Sequence, residues 1–289
     1  MNISAKTAFI ILAVVVFIGE FSKDPENAPG RPIIVKKDPS YPPLAAIKPE
    51  GVGKIGPGSG GDAELVIEEE PRMRRAQYSG TAFSIDDRGL WVTARHVTHN
   101  CDRLMLARPF KRPLAVKALV EHDQADVSII QTDGGYAALG VDVSAPDYNQ
   151  DGFHFGFPRG QPGEVYSKLI GRRTMKTVGA ESYKETVYVW AEKIRVPDSD
   201  ETLGGISGGP ILNKTGKVVG IHVAGSVRRG RSFSSLPNHI NELLIKNRVS
   251  LPGEEYPVDI SKLNPGDFST VGSELRDSLT VAQVICRVD

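Results

Sequence analysis

Short apolar runs, each closed by turn residues, constrain the fold of this chain more than any other feature. Ser79-Gly80-Thr81-Ala82-Phe83-Ser84-Ile85 alternates small or polar with apolar side chains. Asp86-Asp87-Arg88-Gly89 then turns the chain, and Leu90-Trp91-Val92-Thr93-Ala94 runs back, which predicts a hairpin. Further runs follow at 103–107, 114–120, 127–131, 153–157, 165–170, 187–194, 211–212 and 218–223. Period-two segments this short are too brief for helices and predict an all-β barrel or sandwich. Helical spacing enters late, at 238–246, where Ile240, Leu243 and Leu244 share one face, and again at 270–279. A last strand-like piece covers 281–288.

The ends read differently. Lys6 precedes an apolar run at 7–19 that is shorter than the ~20 residues of a membrane-spanning helix and suits the core of a secretory signal. Neither Phe17-Ile18-Gly19 nor Glu20-Phe21-Ser22 makes a good cleavage site, so a retained short anchor is the alternative. Both readings put the bulk of the chain outside the cytoplasm, in the periplasm or beyond. Residues 20–76 are rich in Pro, Gly and charge and predict a flexible linker. Gly51-Val52-Gly53-Lys54-Ile55-Gly56 matches a dinucleotide-binding pattern, but no strand precedes it and a proline follows, so no such cofactor is expected. Lysine plus arginine and aspartate plus glutamate both total 35. Two short basic clusters, at 72–75 and 228–231, lack interleaved aromatics, and nucleic acid is not an expected partner. Cys101 and Cys286 are the only cysteines and show no metal-binding spacing. In an oxidising compartment they are expected to pair, the alternative being two buried thiols. No metal or other cofactor is expected.

Three sites carry chemistry-bearing residue types. Gly204-Gly205-Ile206-Ser207-Gly208-Gly209-Pro210 frames a serine with glycines, either as a plain turn or as a nucleophile with backbone N–H groups free for an oxyanion. Val92-Thr93-Ala94-Arg95-His96 runs a strand into an imidazole, the side chain best suited to general-base work near neutrality. Asp126 opens the apolar run Val127-Ser128-Ile129-Ile130, where a carboxylate can orient a histidine.

In the order His, Asp, Ser, these motifs resemble the chymotrypsin-like (trypsin-fold) serine peptidases, in particular exported bacterial ones. The resemblance covers 77–249 and implies two six-stranded antiparallel barrels, about 77–145 and 146–250, with a C-terminal helix and a short extension at 251–289. It implies that His96 is the base, Asp126 its orienting acid and Ser207 the nucleophile, with the N–H groups of Gly205 and Ser207 as the oxyanion hole, and a polypeptide as substrate. The chain departs from digestive members in having Ile206 where they carry an aspartate, so activation by a newly cut N-terminus is not expected. Arg95 replaces a small residue beside the histidine. The residues after the barrels are too few for a PDZ domain; instead 281–286 is expected to lay a strand across the first barrel and bridge Cys286 to Cys101.

Gly220-Ile221-His222-Val223-Ala224-Gly225 resembles the pocket strand of glutamyl endopeptidases and picornavirus-type proteases. By that likeness His222 selects Glu or Gln, and the backbone of Val223, Ala224 and Gly225 pairs with substrate; the alternative for His222 is a hydrogen-bonded core histidine. Gapless counting puts Glu201 near the pocket floor, which would favour Lys or Arg. His99, near His96, is not expected to bind metal. Two rivals to an endopeptidase remain: a catalytically silent trypsin-fold peptide-binding module, and an esterase, which would carry its serine on a strand-to-helix elbow.

Overall fold

The computed structural model describes residues 65–68, 73, 76–179, 182–226, 230–249 and 258–289. The apolar segment at 7–19 and the linker up to residue 64 lie outside the described residues.

Two mostly antiparallel sheets carry the chain. The first contains β2 (Ala76–Ser84), β3 (Leu90–Thr93), β4 (Arg103–Leu106), β5 (Leu114–Ala115), β6 (Ala118–Glu121), β7 (Ser128–Gln131) and β14 (Val281–Val288), in the order β5-β4-β14-β2-β3-β7-β6. The second contains β1 (Leu65–Glu68), β8 (Asp151–Gly156), β9 (Gly163–Val178), β10 (Tyr183–Val196), β11 (Pro210–Leu212), β12 (Val218–Ser226) and β13 (Arg231–Ser235), in the order β1-β9-β10-β13-β12-β11-β8. Because β8 also pairs with β9, the six strands β8 to β13 close on themselves. Closure removes the exposed edges that an open sheet would leave.

Among the described residues each sheet holds seven strands, the second having one more than the six that close. The extra member of the second is β1, in parallel register with the far half of β9, from Leu65 against Met175 to Glu68 against Val178. These four residues fall within the stretch read as linker. In the first sheet the C-terminal β14 sits between β2 and β4, antiparallel to both. The extension is therefore an inner strand of the first sheet. Its pattern explains the place: Val281, Ala282, Val284 and Cys286 are buried.

Short helices complete the molecule. The turn α1 (Arg95–Thr98) follows β3, α2 (Asn238–Lys246) follows β13, and α3 (Phe268–Asp277) precedes β14. The main core joins the two sheets: Phe83 and Val92 of the first cluster with Phe153, Phe155 and Ile221 of the second, capped by Leu243 of α2 and Phe268 of α3. A second cluster gathers Trp91, Val97, Leu106 and the two cysteines. Each buried tryptophan has a hydrogen-bond partner for its indole N–H, Thr132 Oγ1 for Trp91 and Ser234 Oγ for Trp190.

Candidate active site

His96 and Asp126 meet across thirty residues of chain. The β3 strand delivers His96 into the α1 turn, and Asp126 stands at the mouth of β7, which pairs with β3. One carboxylate oxygen, Oδ1, accepts from the His96 backbone N–H at 2.8 Å, and Oδ2 lies 2.6 Å from His96 Nδ1. The two contacts fix the ring in orientation and place its proton on Nδ1, leaving Nε2 as a base. Asp126 is buried, while about a third of the His96 side chain remains open to solvent. Arg95 turns away from the imidazole: it lies 3.5 Å from Glu121 and over the ring of Tyr183. Its charge is thereby compensated inside the first sheet.

The Ser207 turn is clamped against the first sheet by Thr81. The Thr81 N–H donates to Ser207 O at 2.8 Å, and its hydroxyl donates to Gly205 O, also at 2.8 Å. Glycine is required at two places. Gly208 has φ +87°, and a Cβ there would stand 2.1 Å from Thr81 O; Gly205 has φ +100°, and its Cβ would meet Phe157 O at 2.6 Å. The carbonyl of Gly204 accepts from Arg159 N, which turns the Gly205 N–H the opposite way. Among the described residues, neither Gly205 N nor Ser207 N donates to a protein acceptor in the backbone network. Ile206 is fully buried, packed toward Gly156, so the position before the serine belongs to the core.

Beside Ser207 lies a pocket bordered by Arg195, Leu203, Gly204, His222, Ala224 and Gly225. His222 is both a pocket and a core residue. Its ring is buried, its Nδ1 lies 3.1 Å from Nδ1 of His154, and His154 Nε2 lies 2.7 Å from Ser167 Oγ, which donates to Gly152 O at 3.1 Å. Burial pushes the His222 pKa down to about 3 and that of His154 well below its ordinary value, so both rings are neutral. With the Ser167 proton on Gly152 O, His154 donates from Nε2 and accepts at Nδ1. His222 then carries its proton on Nδ1 and presents an unprotonated Nε2. Val223 does not line the pocket. A bulge between His222 and Ala224 turns its side chain into the core. Glu201 is absent from the pocket floor as well; it is exposed and paired with Arg159, and its carbonyl accepts from Arg195. The cation Arg195, itself paired with Glu192 at 2.6 Å, stands at the wall instead. Because β11 pairs with β12 only from Val218 to Ile221, that edge of β12 is open beyond His222, next to the serine.

A family model described as the trypsin-like peptidase domain matches residues 80–221, the segment that contains His96, Asp126 and Ser207. Residues 80–221 carry a trypsin-like peptidase domain. Among solved structures, the chain is similar to the active form of the Rv3671c protease from M. tuberculosis, at 14% identity over 70% of this chain and 97% of that one, with a TM-score of 0.48. It is also similar to the HtrA-type protease AlgW with a decapeptide (17% identity, 58% of this chain, 50% of that one, TM-score 0.45). The serine endoprotease from Yersinia pestis gives 16% identity, 58% and 57% coverage, and a TM-score of 0.44. No curated protein sequence matches the chain significantly.

Outside the pocket, the trypsin-like domain is stapled by a disulfide between Cys101, just after α1, and Cys286 of β14, with Cα atoms 5.5 Å apart. His99 points its Nδ1 at Glu121, 3.1 Å away, and takes no part in the pocket. His122, His239 and Glu242 bring ligand-type atoms within 4.8 Å of one another. Nδ1 of His122 accepts from the Gln124 N–H at 3.1 Å, and its Nε2 faces Glu242 at 2.8 Å. Its proton therefore sits on Nε2, where a metal would need a lone pair. Sequence reasoning missed Thr81, His154 and Arg195. Of these, only His154 carried a signal, a lone imidazole inside the apolar strand Phe153-His154-Phe155.

Proposed function

We propose that this protein is a serine endopeptidase. His96 Nε2 takes the Ser207 hydroxyl proton as Oγ attacks the peptide carbonyl, and the N–H groups of Gly205 and Ser207 receive the oxyanion. The imidazolium, held by Asp126, then protonates the leaving amine, and water resolves the acyl-enzyme by the same path in reverse. The observation that carries this reading is the Asp126 carboxylate gripping both the backbone and the ring of His96. That neither the Gly205 nor the Ser207 N–H has an acceptor in the backbone network of the described residues supports it.

The substrate is a polypeptide strand paired to the open edge of β12, with its side chain at the cleaved position against His222. A neutral ring presenting Nε2 as an acceptor suits the amide of Gln. Reversing the Ser167–His154 chain would turn Nε2 into a donor suited to Glu. The covalent bridge fits export to an oxidising compartment, with the 7–19 segment as signal or anchor.

A fluorophosphonate probe tests the enzyme reading. Folded wild-type protein should label at Ser207, and Ser207→Ala should not. Wild-type protein that stays unlabelled while binding peptides would instead make it a silent peptide-binding module. A cleavage profile over a peptide library then reads the pocket: enrichment of Gln or Glu is expected, and enrichment of Lys or Arg would overturn the role of His222.

A further inference from the structure

One buried carboxylate has no part in the chemistry so far, yet touches it. Glu185 lies on β10, in the second sheet, with its side chain sealed from solvent. Its Oε1 accepts from the backbone N–H of Asp126 at 2.9 Å, across the boundary between the two sheets. Its Oε2 is buried without a hydrogen-bond partner and faces Nε2 of His239 on α2, which is likewise buried and unpartnered, 3.8 Å away. The other nitrogen of that ring, Nδ1, lies 3.0 Å from Glu242, whose Oε2 also meets His122 at 2.8 Å. A line of contacts thus runs from the rim of α2 through His239 and Glu185 to the aspartate that holds His96.

We propose that Glu185 is a positioning residue for Asp126, tying its backbone to β10 and setting a titratable carboxyl group beside it. The inference rests on the peptidase reading above. The geometry supplies both halves. The Asp126 N–H is buried, and removing its acceptor strands it, which loosens the segment that aims the carboxylate. Glu185 Oε2 lies 3.8 Å from His239 Nε2, too far for a hydrogen bond, with the Ser235 hydroxyl beside the carboxyl group. Burial, with Asp126 nearby as a second cause, pushes the Glu185 pKa up to about 7, so its carboxyl proton is exchangeable near neutrality. The ionisable groups facing Glu185 are Asp126 from the mouth of β7 and His239 from α2, with Glu242 and His122 behind the histidine; Ser235 of β13 adds a hydroxyl.

Two substitutions separate positioning from charge. Glu185→Gln keeps an acceptor for Asp126 but removes the titrating carboxyl group. Its kcat at pH 8 should stay within about 3-fold of wild type, while the acid limb of the kcat/KM profile moves to lower pH, because one negative charge near the His96–Asp126 pair is gone. Glu185→Ala strands the Asp126 N–H and should lower kcat about 10- to 100-fold with little change in KM. His239→Leu, which leaves Glu185 in place, should reproduce the shift of the Gln variant. The low-field proton resonance of the His96–Asp126 hydrogen bond reports the same coupling without turnover, and should move in all three variants. Wild-type kinetics, pH profile and resonance in Glu185→Gln would overturn the proposal even if Glu185→Ala fails to fold. Wild-type protein unreactive toward fluorophosphonate would overturn the peptidase reading alone, because the resonance would still report the Glu185 contact.

Discussion

The nucleophile turn depends on a threonine that belongs to the other sheet. Thr81 gives its N–H to Ser207 O and its hydroxyl to Gly205 O, while its own Oγ1 accepts from Phe157 N at 3.1 Å. The peptide plane that should offer an oxyanion donor is therefore set by a hydroxyl from β2. Thr81→Val keeps the shape and the backbone bond and removes only the hydroxyl. Two hydrogen bonds are lost, but only the one to Gly205 O bears on the oxyanion turn; at about 1 kcal/mol it predicts a fall in kcat of roughly 3- to 10-fold with KM nearly unchanged. Fluorophosphonate labelling rates should fall in parallel, and wild-type rates in the variant would mean that the glycines alone hold the turn. His96, Asp126 and Ser207 were legible in the sequence because each sits beside strong local punctuation: a strand end, the opening of an apolar run, a glycine frame. Thr81, Glu185 and His154 were not, because a single polar residue in a strand is what ordinary alternation produces. Their partners lie at separations of 124, 59 and 68 residues, and only the fold selects them.

At the scale of elements, β14 shows where pattern reading stops. The alternation over 281–288 was enough to predict a strand, and α2 falls at 238–246 as its apolar face requires. What alternation cannot give is the pair of neighbours, since register between distant segments depends on which edges remain open after local hairpins form. Here β2 pairs with β14 along eight residues, from Val281 against Phe83 to Val288 against Ala76. Four of those β14 residues also pair with β4. The disulfide locks this insertion to the residue just past α1, closing a separation of 185 residues. Cys286→Ser should lower stability by about 2–4 kcal/mol, read as a shift in the denaturant midpoint. Since the same bond anchors the segment following His96, activity should decline at lower temperature than in wild type. A midpoint and an activity profile equal to wild type under non-reducing conditions would show that strand pairing alone holds the C-terminus.

For the whole molecule, two buried systems respond to pH in opposite directions. His222 binds a proton readily only when unfolded: its ordinary pKa is 6.5 and its folded one about 3, with His154 displaced the same way. Between those values the unfolded chain holds more protons, so stability is full above about pH 6.5 and is lost as pH falls toward 3. Glu185 has the reverse sign. Its pKa rises from 4.5 to about 7 on folding, so the folded protein holds the extra proton between them, and stability from this group is lost as pH rises through 7. The histidine window is wider and two rings contribute, so the net prediction is a protein that weakens on acidification below about pH 6. Glu185 should blunt that slope between about pH 7 and 4.5. The midpoint of thermal unfolding measured from pH 4 to 8 should therefore fall more steeply on acidification in Glu185→Gln than in wild type. It should fall less steeply in a variant carrying both His154→Gln and His222→Gln. Identical slopes in all three proteins would place the proton uptake elsewhere in the molecule.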